Sequence, residues 1–427
     1  MVDVAKVRMF GDYIGTFVWD DSYKLARFEY DNDFIGKRIE PSPLMMPVQQ
    51  GRIYSFGNLN WDTFNGLPGM LADSLPDTYG RALFDKWLTL TGRKTNSPVE
   101  SLCFLGERCM GALEFEPAKG PASDAYMKIE IESLIDVARE ALSNKEEFGV
   151  NLNVDKKVAI AEILRLGTSA GGQRAKAVIA YNKETGEVRS GQIQAPEGFD
   201  YYLIKLDGVT AEAGFKETEN FGRLEYSFSE LAKRCGIEMT ECFLIEENGR
   251  AHFLTKRFDR ENGRKIHMQT LCGIAHYDFR LKNGYSYEQA FNVMRRLRLP
   301  YSQAQEMFRR IVFNVVVRNQ DDHTKNISFL MDESGKWRLS PAYDMGFAYN
   351  PKGAWTATHQ MSINGSYDNI TRADLLALAA SNNIKGASEI IEQVCETAAL
   401  WSKLAKDCGV PQKMIDGIVP HMLLDLW

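Results

Sequence analysis

Three side chains that carry oxygen ligands lie close together in the sequence near residue 320. Asp321 lies in the run 319-NQDDHTKNISFL-330, Asn326 follows it by five residues, and Asp344 ends the run 339-LSPAYD-344. Phosphoryl transfer from a nucleotide needs one carboxylate that orients a hydroxyl and accepts its proton, and oxygen ligands that hold magnesium. Asp321 suits the first role, and Asn326 and Asp344 suit the second. The pattern indicates a phosphoryl-transfer site, although acidic and amide residues are also common in surface turns.

The sequence between these residues supports that interpretation. Two apolar runs, 327–331 and 337–339, are typical of short strands and place the acidic groups at opposite ends of a hairpin. The doublet Asp321-Asp322 leaves some ambiguity about the base, but the five-residue spacing to Asn326 favours Asp321. Protein kinases have the same Asp-to-Asn spacing in their catalytic loop, with a metal-binding Asp further on.

A glycine-rich stretch upstream is a candidate for binding phosphates. The run 167-GTSAGGQRAK-176 contains Gly171 and Gly172, and glycines allow backbone N–H groups to approach phosphate oxygens. It is not a Walker A loop, because no Gly-Lys-Ser/Thr sequence closes it. A glycine-rich turn is usually only a turn. The evidence that this one binds phosphates is its position in the sequence before Lys205.

Lys205 lies in the centre of the apolar strand pattern YYLIKLDG. A lysine there is costly to bury without a partner, unless it lies on an edge strand with its amine in water. Glu225, on a helix predicted at 219–235, is a candidate partner, because protein kinases pair a strand lysine with a helix glutamate. Glu217 and Glu219 are competing candidates.

FLIEEN and AHFLTKRFD are predicted as a strand pair around the turn residues Asn248-Gly249, and the second strand leads out of this half of the chain. Lys256 and Phe258 would lie at its end, where a kinase hinge offers backbone groups to adenine, and Phe258 also suits simple core packing. These features follow the same order as the parts of the nucleotide site in the kinase superfamily. The order is glycine-rich loop, strand lysine, helix glutamate, hinge, Asp-x-x-x-x-Asn, strand pair and second Asp.

Composition limits the other function classes. The chain has 427 residues, 44% hydrophobic and 25% charged, with a net charge of −6 and a pI of about 5.7. This is typical of a soluble globular protein and gives no overall basic surface for autonomous binding of nucleic acid. The seven cysteines form no C-x-x-C pair, which argues against zinc and favours a reducing cytosol. The first residues do not resemble a signal peptide, so we expect a cytoplasmic protein without a membrane span.

The pattern of apolar residues predicts three units. A β-rich cap domain is expected at 1–120, a kinase small lobe with the glycine-rich loop and hinge at 121–260, and a helical large lobe at 261–427. The run 114-EFEPAKGPASDAY-126 is rich in Pro, Gly, Ala and Ser and predicts the linker after the cap. The predicted fold class is therefore α+β, with a β-rich cap domain and a bilobal protein-kinase-like fold whose C-terminal lobe is helical.

The specific form of these motifs resembles the HipA-like serine/threonine kinases, which are the toxin components of bacterial type II toxin–antitoxin modules. The resemblance covers nearly the whole chain, and the combination D-x-H-x-K-N-x-S followed by P-x-Y-D is typical of this family. The segments that carry it are 70-MLADSLPDTYGRALFDKWL-88, GTSAGGQRAKAVIAYN, 255-TKRFDR-260, NQDDHTKNISFL, LSPAYDM and 359-HQMSINGSYDNITRADLLALA-379.

The resemblance implies phosphorylation of serine or threonine on a protein, with Mg²⁺ and ATP. Asp321 would be the catalytic base, and Asn326 and Asp344 would bind magnesium. The residues expected at the nucleotide are Gly171, Gly172, Lys205, Glu225, Lys256, Phe258 and His323.

The resemblance also implies regulation and partners. Family members can be silenced by autophosphorylation of a hydroxyl in the glycine-rich loop, and Thr168 and Ser169 are the available hydroxyls here. The loop is longer than in the best-known toxin, which makes this switch less secure than kinase activity. The usual partner is a small helix-turn-helix antitoxin that also binds operator DNA, and known substrates include aminoacyl-tRNA synthetases.

Two other functions compete with this interpretation. A small-molecule kinase of the aminoglycoside or choline kinase type shares the D-x-x-x-x-N and second-Asp arrangement, but the family-like first 120 residues argue against it. A kinase-fold co-repressor that acts mainly through a DNA-binding partner is the non-enzymatic alternative, although every catalytic position is filled.

Overall fold

The structure is a computed structural model. It describes residues 3–76, 81, 84, 88, 97–119, 130–132, 134–135, 174–191, 195–210 and 220–426. The predicted glycine-rich loop, with Thr168, Ser169, Gly171 and Gly172, lies outside the described residues.

An antiparallel five-stranded sheet forms the N-terminal part of the chain, in the order β4-β3-β2-β1-β5. Its strands are β1 (Val4–Met9), β2 (Asp12–Asp20), β3 (Leu25–Tyr30), β4 (Ile53–Tyr54) and β5 (Leu113–Glu116). The helices of this region are α1 (Asn32–Ile35), α2 (Trp61–Phe64), α3 (Gly69–Ala72) and α4 (Pro98–Leu105). In β1 every second side chain is buried, which is the pattern of a strand with one face on a core. The expectation of a strand-rich beginning is confirmed.

The predicted linker begins too early in the sequence. Glu114, Phe115 and Glu116 belong to β5, which pairs antiparallel with β1. The residues LEFE alternate, with Leu113 and Phe115 buried against the core, and this period of two outweighs the Pro and Gly that follow.

A second five-stranded sheet has the order β7-β6-β8-β10-β9. Its strands are β6 (Arg174–Tyr181), β7 (Val188–Ser190), β8 (Asp200–Thr210), β9 (Cys242–Glu247) and β10 (Arg250–Lys256), and helix α5 (Phe221–Arg234) connects β8 to β9. Asn248 and Gly249 join β9 to β10 with φ of 48° and 79°, which is the left-handed backbone that a two-residue hairpin turn requires. The strands, the helix and this hairpin confirm the predictions for this region.

The C-terminal part is mainly helical. Its helices are α6 (Leu271–Ala275), α7 (Tyr287–Arg296), α8 (Tyr301–Val316), α9 (Arg372–Ser381), α10 (Ala387–Ala398), α11 (Trp401–Asp407) and α12 (Gln412–Ile418), with 3₁₀ turns at Thr324–Asn326 and Val419–His421. Its strands are β11 (Arg260–Glu261), β12 (Arg264–Lys265), β13 (His267–Thr270), β14 (Tyr285–Ser286), β15 (Ser328–Met331), β16 (Trp337–Leu339) and β17 (Met361–Ser362).

The predicted hairpin at 327–343 is confirmed as β15 and β16, but β13 adds a third strand that the sequence did not indicate. Since β15 and β16 are antiparallel, Asp321 before the hairpin and Asp344 after it both lie at its open end. A hairpin therefore brings the two carboxylates together rather than apart.

Aromatic packing joins α5 to the C-terminal helices. The rings of Phe228 and Trp401 stack with centroids 4.6 Å apart, and Trp401 Nε1 donates to Ser227 Oγ at 3.2 Å. Both rings are fully buried, so this packing fixes α5 to the C-terminal helices. Within the described ranges, no helix has the length and apolar character needed to cross a membrane.

Candidate functional site

Helix α5 lies directly on the second sheet because a glycine allows it. A Cβ added to Gly222 would lie 1.8 Å from the carbonyl oxygen of Ala251 in β10, so no larger residue fits there. Asp207, two residues after Lys205 on β8, accepts hydrogen bonds from the backbone N–H groups of Asn220 (2.9 Å) and Phe221 (3.1 Å). The strand that carries the lysine therefore also caps the helix that carries the glutamate.

Lys205 lies between two carboxylates. Its ammonium group forms ion pairs with Glu225 on α5 and with Asp344 after the hairpin. Burial opposes the charge on Lys205, but Asp344 and Glu225 outweigh it and raise the pKa of the ammonium group above its usual value. Lys205 is therefore charged, and of the three candidate partners the structure selects Glu225, while Glu217 and Glu219 lie outside the described residues.

Asp344 has an unusual backbone conformation, with φ of 52°. Its carbonyl oxygen accepts a hydrogen bond from Asn319 Nδ2 at 3.1 Å, which ties it to the segment before Asp321. Burial acts to raise the pKa of the Asp344 carboxyl, but the charges of Lys205 and Lys176 hold it below its usual value. Asp344 is thus an ionised carboxylate whose position is set from both lobes.

The two adjacent aspartates have opposite surroundings. The side chain of Asp321 is 52% exposed, and His323 Nε2 lies 4.0 Å from its Oδ1. Burial raises the pKa of the Asp321 carboxyl, His323 acts against this shift, and the negative charges of Asp344 and Asp322 add to it. No hydrogen bond to the Asp321 carboxylate is present among the described residues, so both of its oxygens are open to a ligand.

Asp322, by contrast, is a buried anchor. Its Oδ2 lies 2.8 Å from the Tyr287 hydroxyl and from His359 Nδ1, and its Oδ1 accepts from the backbone N–H of Gln360 at 2.8 Å. These contacts fix the chain on one side of Asp321 to α7 and to the segment before β17. The geometry thus supports Asp321 as the reactive member of the doublet, in line with the spacing argument.

Asn326 and His323 complete the loop. Asn326 Nδ2 donates to the backbone carbonyl of Asp321 at 2.7 Å, which leaves its side-chain oxygen as an acceptor. The ring of His323 packs edge-on against Phe279 with centroids 5.3 Å apart. Thr324 Oγ1 donates to the carbonyl of Tyr277 at 2.7 Å and holds the 3₁₀ turn to the loop after α6. Both predicted residues therefore lie beside Asp321.

The predicted hinge residues Lys256 and Phe258 line a cleft together with Lys205 and Asp344. The backbone N–H of Lys256 donates to the carbonyl of Glu241 at 2.8 Å, and its ammonium pairs with Asp200, at the start of β8, at 2.8 Å. The ring of Phe258 lines the cleft, 5.7 Å from the ring of Tyr343. No hydrogen bond to the Phe258 backbone is present in the described part of the chain, which leaves this backbone accessible to a ligand.

A cleft of about 780 Å³, partly open to solvent, connects the hinge to the ion pairs. Its charged lining residues are Lys176, Lys205, Glu225 and Asp344. Its apolar lining residues are Met110, Leu203, Met239, Phe253, Met268 and Met345. The cleft thus combines apolar surface, which suits a flat ring, with charged groups that suit phosphates.

Lys176 was not among the predicted site residues. It lies directly opposite Lys205 in the β6–β8 pairing, is 4% exposed, and acts electrostatically on Asp344. The sequence pattern that could have indicated it is the same as for Lys205, a lysine within an apolar strand. No group of His, Cys, Asp and Glu side chains in the described ranges has the geometry of a metal cluster of three or more.

The fold is a kinase-like α+β fold with a small sheet lobe and a larger helical lobe. Its cleft region carries the strand lysine, the helix glutamate and the carboxylates at the open end of the hairpin, as in kinases. The chain belongs to the HipA family. The family model for the HipA-like C-terminal domain matches residues 168–401, and the model for the HipA N-terminal domain matches residues 5–116.

The fold is similar to that of a solved structure from Shewanella oneidensis MR-1, the complex of the toxin–antitoxin proteins HipA and HipB with operator DNA. The TM-score is 0.67 at 18% sequence identity, over 98% of this chain and 94% of that one. The similarity extends over both the cap and the kinase-like region, which confirms the predicted fold class.

Curated relatives match shorter stretches. A Sinorhizobium fredii protein named putative kinase Y4dM is 26% identical over 219 residues, 46% of this chain and 52% of the relative. A Haemophilus influenzae protein named putative kinase is 29% identical over 136 residues, 28% and 39% of the two chains. Putative kinase Y4mE of S. fredii is 27% identical over 125 residues, 27% and 30%. The chain thus spans between 30% and 52% of the length of these relatives.

Proposed function

We propose that the protein is a serine/threonine protein kinase that uses ATP and magnesium, and that it acts as the toxin of a toxin–antitoxin pair. The observation that carries the proposal is the position of Lys205 between Glu225 and Asp344, with the open carboxylate of Asp321 near enough to Asp344 for their charges to interact. Membership of the HipA family and the kinase names of the matched relatives support the same activity.

The donor set fits magnesium. The side-chain oxygen of Asn326 is left as an acceptor because its nitrogen is bonded to Asp321, and Oδ2 of Asp344 makes no hydrogen bond within the described residues. Magnesium prefers a few carboxylate and carbonyl oxygens together with phosphate oxygens. Magnesium bound there would neutralise negative charge on the transferred phosphate.

Each side chain of the cleft has a role in this proposal. Asp321 accepts the proton of the substrate hydroxyl, and a pKa raised by burial makes it a stronger base than an exposed aspartate. Lys205 and Lys176 neutralise the nucleotide phosphates, while Glu225 fixes the direction of Lys205. The backbone between Lys256 and Phe258 holds adenine against the apolar side chains of the cleft.

Substrate and partner are also proposals. The Shewanella complex contains HipA, HipB and operator DNA, and we propose that a small helix-turn-helix antitoxin neutralises this kinase and links it to DNA. An aminoacyl-tRNA synthetase is the proposed protein substrate, from the family resemblance alone.

Autophosphorylation is the proposed regulatory step. A phosphate on Thr168 or Ser169 would bring a charge of about −1.5 to −2 into a loop that must close over another polyanion. Peptide mass spectrometry after incubation with ATP should find the phosphate on wild type and not on Asp321→Asn. An unmodified loop in an active preparation would contradict this step and leave the kinase proposal intact.

Calorimetry with a non-hydrolysable ATP analogue tests the nucleotide site directly. We expect binding that requires magnesium and weakens in Asp344→Asn, whereas Glu333→Gln, at the exposed tip of the hairpin, should bind as wild type does. Phosphoamino-acid analysis of radiolabelled product should show phosphoserine or phosphothreonine. Equal affinity of the wild type and Asp344→Asn, with or without magnesium, would remove the metal assignment.

A further inference from the structure

The cap domain places a carboxylate against the kinase-like region. Asp73, at the end of α3, accepts hydrogen bonds from the backbone N–H of Thr270 at 2.7 Å and from its hydroxyl at 2.8 Å. Thr270 is the N-cap residue of α6, and its Oγ1 also accepts a hydrogen bond from the N–H of Gly273 at 3.1 Å. Asp73 thus fixes the junction between β13 and α6 from a different part of the fold.

The backbones of α3 and α6 are in direct contact at this point. A Cβ on Gly273 would lie 2.0 Å from Asp73 Oδ2, and a Cβ on Gly69 would lie 2.1 Å from the carbonyl oxygen of Gly273. The N–H of Gly69 donates to His276 Nε2 at 2.9 Å. Two glycines and two sets of hydrogen bonds therefore make this a specific contact between α3 and α6.

Hydrogen bonds continue from this junction to the loop that carries Asp321. Thr270 pairs with Ser328 in the β13–β15 ladder, and the hydroxyls of Ser328 and Tyr343 are hydrogen-bonded. The Tyr343 hydroxyl donates to the carbonyl of Lys325 at 2.6 Å. Lys325 immediately precedes Asn326, and Tyr343 immediately precedes Asp344. The chain of contacts thus ends beside both predicted magnesium ligands.

We propose that Asp73 is a positioning residue for phosphoryl transfer, and that the cap domain thereby forms part of the catalytic apparatus. Asp73 acts through Thr270, Ser328 and Tyr343 to hold the loop 321–326 in place. This inference rests on the proposed kinase function for its effect on rate, but the mechanical coupling that it claims is independent of that function.

The surroundings of Asp73 agree with a specific contact. Burial raises the pKa of the Asp73 carboxyl to about 6, while Lys325 and the two donors of Thr270 act against this shift. The charge of Lys325 reaches Asp73 across the junction, so the loop and the cap interact electrostatically as well as through hydrogen bonds.

Asp73→Asn and Ser42→Ala form a matched pair of variants. Ser42 also belongs to the cap and donates to Gln269 Oε1 at 3.2 Å, one residue before Thr270 on the same strand. Both variants weaken the docking of the cap on β13, but only Asp73 is connected to Tyr343 and Lys325. A general loss of docking would affect both variants equally.

Two measurements on the full chain separate the possibilities. The first is the rate of radiolabel transfer from ATP to the protein itself and to dephosphorylated casein, with the ATP concentration varied. We expect the rate at saturating ATP to fall by about tenfold or more in Asp73→Asn, with little change in the ATP concentration at half-maximal rate, and no change in Ser42→Ala. The second is hydrogen exchange of the loop amides without nucleotide, which should become faster only in Asp73→Asn.

A conservative pair keeps the test valid if Asp73→Asn folds poorly. Thr270→Ser retains both donors to Asp73 and should behave as wild type, whereas Thr270→Val loses the hydroxyl and should repeat the Asp73→Asn result. Equal effects in Ser42→Ala and Asp73→Asn, or unchanged exchange in both Asp73→Asn and Thr270→Val, would overturn the inference. An inactive wild type would instead refute the proposed kinase function, and the exchange measurement would still decide the coupling.

Discussion

Two charged clusters lie within the kinase-like region, and they differ in how completely their carboxylates are bonded. The cleft cluster consists of Lys205, Glu225 and Asp344. The hinge cluster consists of Arg257, Asp259 and Arg260. The side chains of the cleft cluster are 15% to 33% exposed, whereas those of the hinge cluster are 0% to 7% exposed.

Every acceptor of the hinge cluster is used. Asp259 accepts from Arg257 Nε and Nη2 at 2.8 and 2.7 Å, from Arg260 Nη1 at 2.9 Å, and from the N–H of Gly111 in the cap at 2.7 Å. Burial alone would raise the pKa of Asp259, but the two guanidinium groups hold it well below its usual range. This cluster ties the cap to the hinge, and both oxygens of its carboxylate are already bonded within the protein.

The cleft cluster keeps oxygens available. Asp344 has one oxygen paired with Lys205 and the other without a hydrogen bond in the described ranges, and Asp321 nearby has both open. A buried ion pair that is fully satisfied is structural, whereas an incompletely satisfied one at a cleft marks a site where a ligand completes the bonding. The difference between the clusters therefore predicts which substitutions affect activity and which affect folding.

The largest effect is expected on activity, at Asp321. Asp321→Asn should slow phosphoryl transfer by about 10²- to 10⁴-fold, because the amide cannot accept the proton of the substrate hydroxyl. ATP binding and the melting temperature should stay close to wild type. Radiolabel transfer measures the rate, with Glu333→Gln as the exposed control. If Asp322→Asn reduced the rate as strongly as Asp321→Asn at a temperature where both are folded, the assignment of the base would be wrong.

The hinge cluster should respond in folding instead. Asp259→Ala leaves two buried guanidinium groups without their carboxylate, and we expect the free energy of unfolding to fall by about 3–5 kcal/mol. Denaturant titration followed by circular dichroism measures this change. A stable and inactive Asp259→Ala protein would contradict the division between the clusters.

Substitution of Asp322 should reduce the stability of the fold, as in the hinge cluster, but by a smaller amount. Asp322→Asn keeps the shape of the side chain but cannot accept from all three of its donors, so we expect a loss of about 1–3 kcal/mol in the free energy of unfolding. Phosphoryl transfer by the folded fraction should fall much less than in Asp321→Asn. Thermal unfolding and transfer rates measured on the same samples check both statements.

The smallest expected effect is on the pH dependence of the free energy of unfolding, to which two buried aspartates contribute with opposite signs. Asp259 has a lowered pKa in the fold, so its contribution to stability is present above the ordinary aspartate value near 4 and is lost at lower pH. Asp73 has a pKa raised to about 6, so the unfolded state releases its proton first and stability falls as pH rises from about 4 to 6.

The melting temperature measured between pH 4 and 7 tests the second sign. Asp73→Asn should remove part of the decrease between pH 4 and 6, whereas Ser42→Ala should retain it. A decrease of the same size in wild type and Asp73→Asn would show that Asp73 is ionised in the fold throughout this range.

The sequence predicted the elements that have a strong local pattern. The strands around Lys205 and the hairpin at Asn248-Gly249 were predicted because β-branched and aromatic residues alternate around a turn that needs left-handed residues. Glu225 was the preferred candidate for Lys205, and the structure pairs the two. Gly222 packs on β10 and Asp207 of β8 caps α5, so the first turns of the helix lie beside Lys205.

The features that the sequence did not predict depend on contacts between residues that are distant in the sequence. The hinge cluster lies within the quoted motif 255-TKRFDR-260, but its role is visible only when Gly111 from the cap donates to Asp259. The same holds for Asp322, whose partners Tyr287 and His359 lie on either side of it in sequence. Sequence spacing predicted a type of chemistry, whereas the difference between open and fully bonded carboxylates is visible only in the tertiary fold.

The positive φ of Asp344 restricts the mutations that this gene can tolerate. With φ of 52°, residues with a Cβ are strained by about 1–2 kcal/mol, and Gly, Asn and Asp are the types that adopt this conformation readily. Single-base changes of an aspartate codon yield Asn, Gly, Ala, Val, Glu, His or Tyr. Asn and Gly are the changes in this set that remove the carboxylate without adding backbone strain. In a screen for folded but inactive variants of the protein, alleles at this codon should therefore encode mainly Asn or Gly.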